Sequence, residues 1–198
     1  MKALTVLLLL SMVSCSSKDS DSIKIAFVGD VLLDRGVRQR IEHLGPSSLF
    51  DTSITRIWQN QDFVVAVLEC PVTTIESPVN KRFIFRGEPE WLKELKTSGI
   101  SHLSMANNHS MDQGRAGLTD TYNNILKANM HPMGYGKNVD EACDPRLISI
   151  AGINVYIFSS GIVPSENWTY LEDKPCVCEE RPKAISQRIK KLKEREPD

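Results

Sequence analysis

Apolar residues fall into short runs that alternate with amphipathic stretches along most of the chain. Ile23 to Val28 forms a brief apolar run ending in Gly29-Asp30 and predicts a strand. Leu33, Val37, Ile41 and Leu44 recur at helical spacing until Gly45-Pro46, which stops a helix. Phe50, Ile54, Ile57 and Trp58 form a second helical stripe. Phe63 to Leu68 is a continuous Val-rich run, the pattern of a strand buried on both faces, and it runs into Glu69-Cys70-Pro71. Pro89 opens another helix with Trp91, Leu92 and Leu95 on its apolar face, and Gly99 closes it. Ile100 to Met105 predicts a strand that delivers Ala106-Asn107-Asn108-His109. Gly114 and Gly117 lead into a helix carrying Leu118, Tyr122, Ile125 and Leu126. Leu147–Ile150 and Ile153–Phe158 flank Ala151-Gly152 as a hairpin or two neighbouring strands. Ile185, Ile189 and Leu192 stripe a basic final helix whose Lys and Arg residues form a solvated face. Strands alternating with helices predict an α/β layered domain.

The first residues differ from this pattern. Met1-Lys2, the apolar run Ala3–Leu10 and the small residues before Cys15 form an export signal too short to span a bilayer. Ser14-Cys15 followed by a Ser/Asp-rich stretch resembles a bacterial lipoprotein signal. That resemblance implies cleavage before Cys15 and lipidation of its thiol. The expected organisation is therefore a signal peptide over residues 1–14, a polar tether over 15–22 and one domain over 23–198. It places the protein at the cell envelope, with the membrane contacted through a lipid anchor.

Composition narrows the function. The chain has 198 residues, 24 Lys+Arg against 25 Asp+Glu, a net charge of -1 and 41% hydrophobic residues. This excludes a disordered chain, and it lacks the broad positive field of a nucleic-acid binder. Four cysteines follow the leader: Cys70, Cys143, Cys176 and Cys178. Cys176-Val177-Cys178 is not a C-x-x-C redox or zinc pair. Buried thiols, loop thiols or one loop disulfide are expected, with the pairing open.

Three predicted strands end in polar groups: Asp30, Glu69 and the Asn107-Asn108-His109 cluster. In open α/β sheets, ligands bind beyond the carboxyl ends of the strands. Two carboxylates, an amide and an imidazole are hard to borderline donors, suited to Mn, Fe, Mg or Zn. Each residue also has a structural reading. Asp30 can cap a helix, Glu69 can sit in a surface turn, and the asparagines can stabilise a tight turn. His43, His102 and His131 read as incidental, with His131 before Pro132 at a helix-to-strand turn.

At these residues the sequence resembles the CapA-type family of capsule-synthesis proteins, linked to poly-gamma-glutamate and metallophosphoesterase-like in fold. The carrying segments are Gly29-Asp30-Val31-Leu32-Leu33, Leu68-Glu69-Cys70-Pro71, Phe85-Arg86-Gly87-Glu88-Pro89 and Leu95-Lys96-Thr97-Ser98-Gly99-Ile100. The most specific is Met105-Ala106-Asn107-Asn108-His109-Ser110-Met111-Asp112-Gln113-Gly114, followed by Gly134-Tyr135-Gly136-Lys137-Asn138. The resemblance implies a calcineurin-like α-β-β-α sandwich of two mixed sheets, here the N-terminal portion and incomplete at the C-terminus. It implies Asp30, Glu69 and Asn108 as ligands of a divalent metal and His109 as the transition-state or leaving-group residue. Asp112 is a motif residue, catalytic or holding the His109 loop through a hydrogen bond. Leu32 stands where the wider superfamily places a histidine ligand. The later His-x-Gly and Gly-His-His-Pro-His-like motifs of the family do not occur in this sequence. The implied function is a metal-dependent hydrolase or transferase acting on poly-gamma-glutamate or a similar envelope polymer, with little activity expected of this chain alone. The alternative is a non-catalytic, envelope-anchored component of capsule assembly.

Overall fold

A computed structural model describes residues 22–163 and 174–196. Cys15, the signal peptide over 1–14 and all of the tether except Ser22 lie outside the described residues. The core element is a parallel sheet of β1 (Ile25–Val31), β2 (Phe63–Leu68), β3 (His102–Ser104) and β4 (His131–Met133), in that spatial order. Helices α1 (Gly36–Leu44) and α2 (Thr52–Gln59) connect β1 to β2. Helix α3 (Leu92–Ser98) leads to β3, and α4 (Gly114–Lys127) leads to β4. Helical crossovers between parallel strands leave all the strand C-termini on one edge, where the polar motifs emerge.

The Val-rich run becomes a central strand: Phe63, Val64, Val65, Ala66 and Leu68 are all buried. β1 extends further than the apolar run predicts and takes in Gly29-Asp30-Val31. A bulge between Phe27 and Asp30 shifts its register on β2, and Glu69 N donates to Val31 O at 3.0 Å, so the ladder continues past the apolar residues. β4 departs more. His131 lies in the strand rather than at a turn, paired with His102 and stacked on its ring at 4.6 Å. Pro132 obscured this strand in the sequence, and β4, at the edge of the sheet among the described residues, tolerates it because no outer neighbour there needs its missing N–H.

The main core gathers Leu33, Ile41, Leu68, Leu92, Leu95, Ile100, Leu103, Leu118 and Ile125 between the sheet and its helices. A 3₁₀ turn at Pro89–Trp91 starts α3, and Gly99 ends it in the left-handed conformation (φ 111°). A Cβ at Gly99 would lie 3.1 Å from the Trp58 and Gln59 backbone, so the same glycine lets α2 and α3 approach. The α2 stripe is only half used. Trp58 packs edge-on against Phe50 at 4.9 Å, while Ile54 and Ile57 are 40% and 57% exposed. Leu126 of α4 is likewise exposed.

Beyond the sheet the chain forms β5 (Tyr135–Gly136), α5 (Val139–Cys143), the hairpin β6 (Arg146–Ile150) and β7 (Ile153–Ile157), β8 (Cys176–Val177) and α6 (Pro182–Arg195). The Ala151-Gly152 turn has positive φ at both residues, as a tight hairpin needs. β5 pairs antiparallel with β8. The Cys143–Cys178 disulfide joins α5 to the end of β8, while Cys70 and Cys176 are buried thiols. The fold is thus α/β with a parallel four-stranded sheet, in line with a metallophosphoesterase-like architecture. Among the described residues, two short antiparallel ladders accompany that sheet. No helix of the described residues is long and apolar enough to cross a membrane.

Candidate functional site

β1 carries Asp30 near its end, β2 runs directly into Glu69, and β3 runs into the loop from Met105 to Gln113. Backbone and side-chain bonds fold this loop on itself. Asn107 Nδ2 donates to Leu68 O at 2.8 Å, tying the loop to the end of β2. The Asn107 Oδ1 accepts from His109 N at 2.9 Å, Ser110 Oγ donates to Met105 O, and Asp112 N donates to His109 O at 3.0 Å. Asn107 is therefore the residue that shapes the turn, and Asn108 is left half-buried beside His109.

Asp112 is fully buried and accepts three donors: Lys81 Nζ at 2.8 Å, Phe85 N at 2.7 Å and His109 Nδ1–H at 2.9 Å. A carboxylate out of water needs such compensation, because an unpaired buried charge is strongly destabilising. Lys81, with its side chain 2% exposed, also donates to Asn108 O at 3.0 Å. The hydrogen bond from Nδ1 assigns the tautomer of His109 and turns Nε2 towards Glu69, whose Oε1 lies 4.0 Å away. The imidazole is braced further by the Phe85 ring, with centroids 4.2 Å apart.

Glu69 holds its proton more tightly than an ordinary glutamate. Burial is the main cause, followed by the negative charge of Asp30, with Asp112 adding to it and His109 and Lys81 opposing it. Asp30 is exposed, and its carboxylate makes no hydrogen bond or ion pair among the described residues. The Asn108 side-chain amide is also without a hydrogen bond among them. Asp30, Glu69 and the Asn108 amide are oxygen donors, the kind of atom that a hard divalent cation takes. Among the described residues, three His, Cys, Asp or Glu donors come within 4.8 Å of one another only at the Cys143 and Cys178 sulfurs and the Glu180 carboxylate, and this grouping does not fit a cation. Its sulfurs are spent in the disulfide and offer no thiolate.

The structure thus brings Glu69 to His109, His109 to Asp112, and Asp30 within electrostatic reach of Glu69. Sequence reasoning missed Lys81 as the buried partner of Asp112, although its position near Arg82 and Arg86 was visible. It also missed Asp34. That carboxylate accepts from Arg35 N at 2.7 Å, Arg86 N at 2.9 Å and Arg38 Nε at 3.2 Å, fastening the β1–α1 loop to the segment before α3. A capping-type aspartate beside a helix start was the only signal for it.

The family model described as bacterial capsule synthesis protein PGA_cap matches residues 24–198. The chain is 32% identical over 124 residues to the PGA biosynthesis protein CapA of Bacillus subtilis (strain 168), covering 62% of this chain and 32% of that protein. It is 24% identical over 142 residues to the capsule biosynthesis protein CapA of Bacillus anthracis, covering 70% of this chain and 34% of that protein. The chain spans about a third of the length of these curated relatives.

Proposed function

Because the chain belongs to the bacterial capsule synthesis protein family, we propose that its strand-end cluster is the site of a metal-dependent hydrolase or transferase acting on an envelope polymer of the poly-gamma-glutamate class. The observation that carries this reading is the convergence on one sheet edge of Glu69 and the oriented His109–Asp112 pair, with Asp30 beside Glu69. Asp30, Glu69 and Asn108 would hold the cation. A divalent ion there supplies Lewis-acid polarisation of an acyl or phosphoryl oxygen and a more acidic bound water.

The protein's own groups supply the rest. Asp112 fixes the imidazole by accepting from Nδ1–H, so that Nε2 can hold or move a proton at the leaving-group atom. Lys81 and the Phe85 amide hold the Asp112 carboxylate in place, which keeps that ring orientation. The leader pattern supports placement at the cell envelope through lipid on Cys15, and Cys15→Ala abolishes fatty-acid labelling if this is so.

Manganese titration followed by electron paramagnetic resonance tests the cation site. Asp30→Asn with Glu69→Gln is expected to abolish binding, while His109→Gln leaves it in place. On poly-gamma-glutamate chains followed by size-exclusion chromatography, His109→Gln should lower any turnover by roughly 10²–10⁴-fold. Manganese binding unchanged by the double carboxylate substitution would overturn the reading.

A further inference from the structure

Among the arginines near the candidate site in sequence, two pairs differ in kind. Arg38 and Arg86 are fully engaged. Arg38 reaches Glu88 at 2.8 Å, Asp34 at 3.2 Å and the Arg86 carbonyl at 2.6 Å. Arg86 reaches Glu88 at 3.0 Å and the Thr73 carbonyl at 2.8 Å. Arg35 and Arg82 are exposed, and their guanidinium groups make no hydrogen bond or ion pair among the described residues. Both instead lie over the ring of Phe83, 5.3 Å and 5.0 Å from its centroid. Stacking on a ring orients a guanidinium while leaving its fork of N–H donors uncommitted. Phe83 itself is 46% exposed. Arg35 also lies 4.9 Å from the centroid of Phe85, the ring that packs against His109 at 4.2 Å, so this patch adjoins the site.

The backbone adds an independent observation. Arg35 has φ 55° and ψ -126°, a conformation normally held by glycine. Its neighbour Gly36 shows no positive φ, and a Cβ there would meet nothing within 4 Å. The strained position of this turn therefore carries an arginine although glycine would relieve it. Asp34 holds the turn closed, accepting Val37 N on its carbonyl at 3.1 Å and Arg35 N on its carboxylate. Strain kept in place by surrounding bonds is a mark of functional positions.

We propose that Arg35 and Arg82, arrayed on Phe83, form an oxyanion subsite that holds a carboxylate or phosphate group of an extended anionic chain beside His109. The inference rests on reading the strand-end cluster as the reaction site, and it assigns the substrate contact that this reading lacks. An unclaimed guanidinium fork binds either oxyanion in bidentate fashion, so carboxylate and phosphate are the shared chemistry.

The test is fluorescence anisotropy with the full chain and a labelled γ-linked glutamate oligomer, competed by unlabelled oligomer or by inorganic polyphosphate. Arg35→Gln and Arg82→Gln should each weaken binding about tenfold, as loss of one charge-assisted contact does. Arg56→Gln, an exposed arginine on α2, should leave it unchanged. Arg35→Gly should weaken binding while raising the melting temperature, a combination that unfolding cannot produce. Competition by the oligomer alone identifies a carboxylate chain, and stronger competition by polyphosphate identifies a phosphate source. Asp30→Asn separates the two readings. If Asp30→Asn leaves manganese binding unaffected while the arginine variants lose oligomer binding, the reaction site is misplaced and the subsite stands. Absence of binding by the wild-type chain, or equal binding by wild type and the Arg35→Gln/Arg82→Gln double variant, overturns the subsite.

Discussion

Two regions of the molecule are held together by charge in different ways. In the strand-end loop, Lys81 and Asp112 meet at 2.8 Å with side chains 2% and 0% exposed, and the pair is closed off by the Phe85 amide and His109. Around α6, Arg188 makes a bidentate pair with Glu180 at 2.8 Å and reaches Asp140 at 3.1 Å, but the Asp140 side chain is 93% exposed. Water reaches the outer part of the second network at Asp140, while the Arg188–Glu180 pair is part-buried with side chains 23% and 21% exposed, so these ion pairs are weaker than the fully buried one but not negligible. The α6 region relies also on the disulfide between Cys143 and Cys178, which closes a 35-residue separation. Among the described residues, the first network has no such cross-link. It depends on mutual satisfaction of its charges, which ties the orientation of His109 to the integrity of the fold.

Breaking the buried pair should have the largest effect. Lys81→Met leaves Asp112 buried without its cation and is expected to lower stability by about 3–5 kcal/mol. Urea denaturation would measure this, and adding Asp112→Leu should recover a substantial part. If Lys81→Met alone behaves like a surface substitution, the contrast between the two regions fails.

Removal of the disulfide ranks next. Cys143→Ser with Cys178→Ser should cost about 2–4 kcal/mol through the unfolded state. The double substitution removes none of the groups that bond Lys81 or Asp112 and should leave manganese binding at the strand ends unchanged. Loss of both together would show that the two regions are coupled.

Arg188→Ala should cost roughly 1–2 kcal/mol, and the part that comes from the exposed Asp140 should shrink as salt is raised. A salt-insensitive loss above that range would mean that the α6 network is drier than its exposed aspartate indicates.

The smallest change near neutral pH comes from His102 within the parallel sheet. Burial, followed by the charges of His131, Arg146 and Lys96, pushes its pKa down to about 4 from 6.5. The unfolded chain therefore takes up the proton first, and stability falls as pH drops from about 6.5 towards about 4. Calorimetry across this window should show a shallower fall for His102→Phe. The α6 network carries no such group and should not contribute to the difference.

Much of the architecture is legible without coordinates, because some residues have few physical alternatives. The run Phe63–Leu68 is too apolar to be anything but a doubly buried strand, and Gly99 can end α3 in a left-handed turn that other residues resist. The Asn107-Asn108-His109 motif at the end of β3, with Asp30 and Glu69 at two other strand ends, is likewise determined by local order along the chain. Periodicity shows that α2 has an apolar stripe, but it does not reveal whether a partner covers Ile54 and Ile57. The partner of Asp112 lies 31 residues away in a segment without regular secondary structure, and no local rule selects Lys81. The same holds for the difference between Arg35 and Arg86, identical side chains of which one is paired and the other stacked on a ring. Short-range steric and hydrophobic preferences are written into neighbouring residues. Charge pairing and exposure depend on which distant segments the tertiary fold brings together, and only that fold decided them.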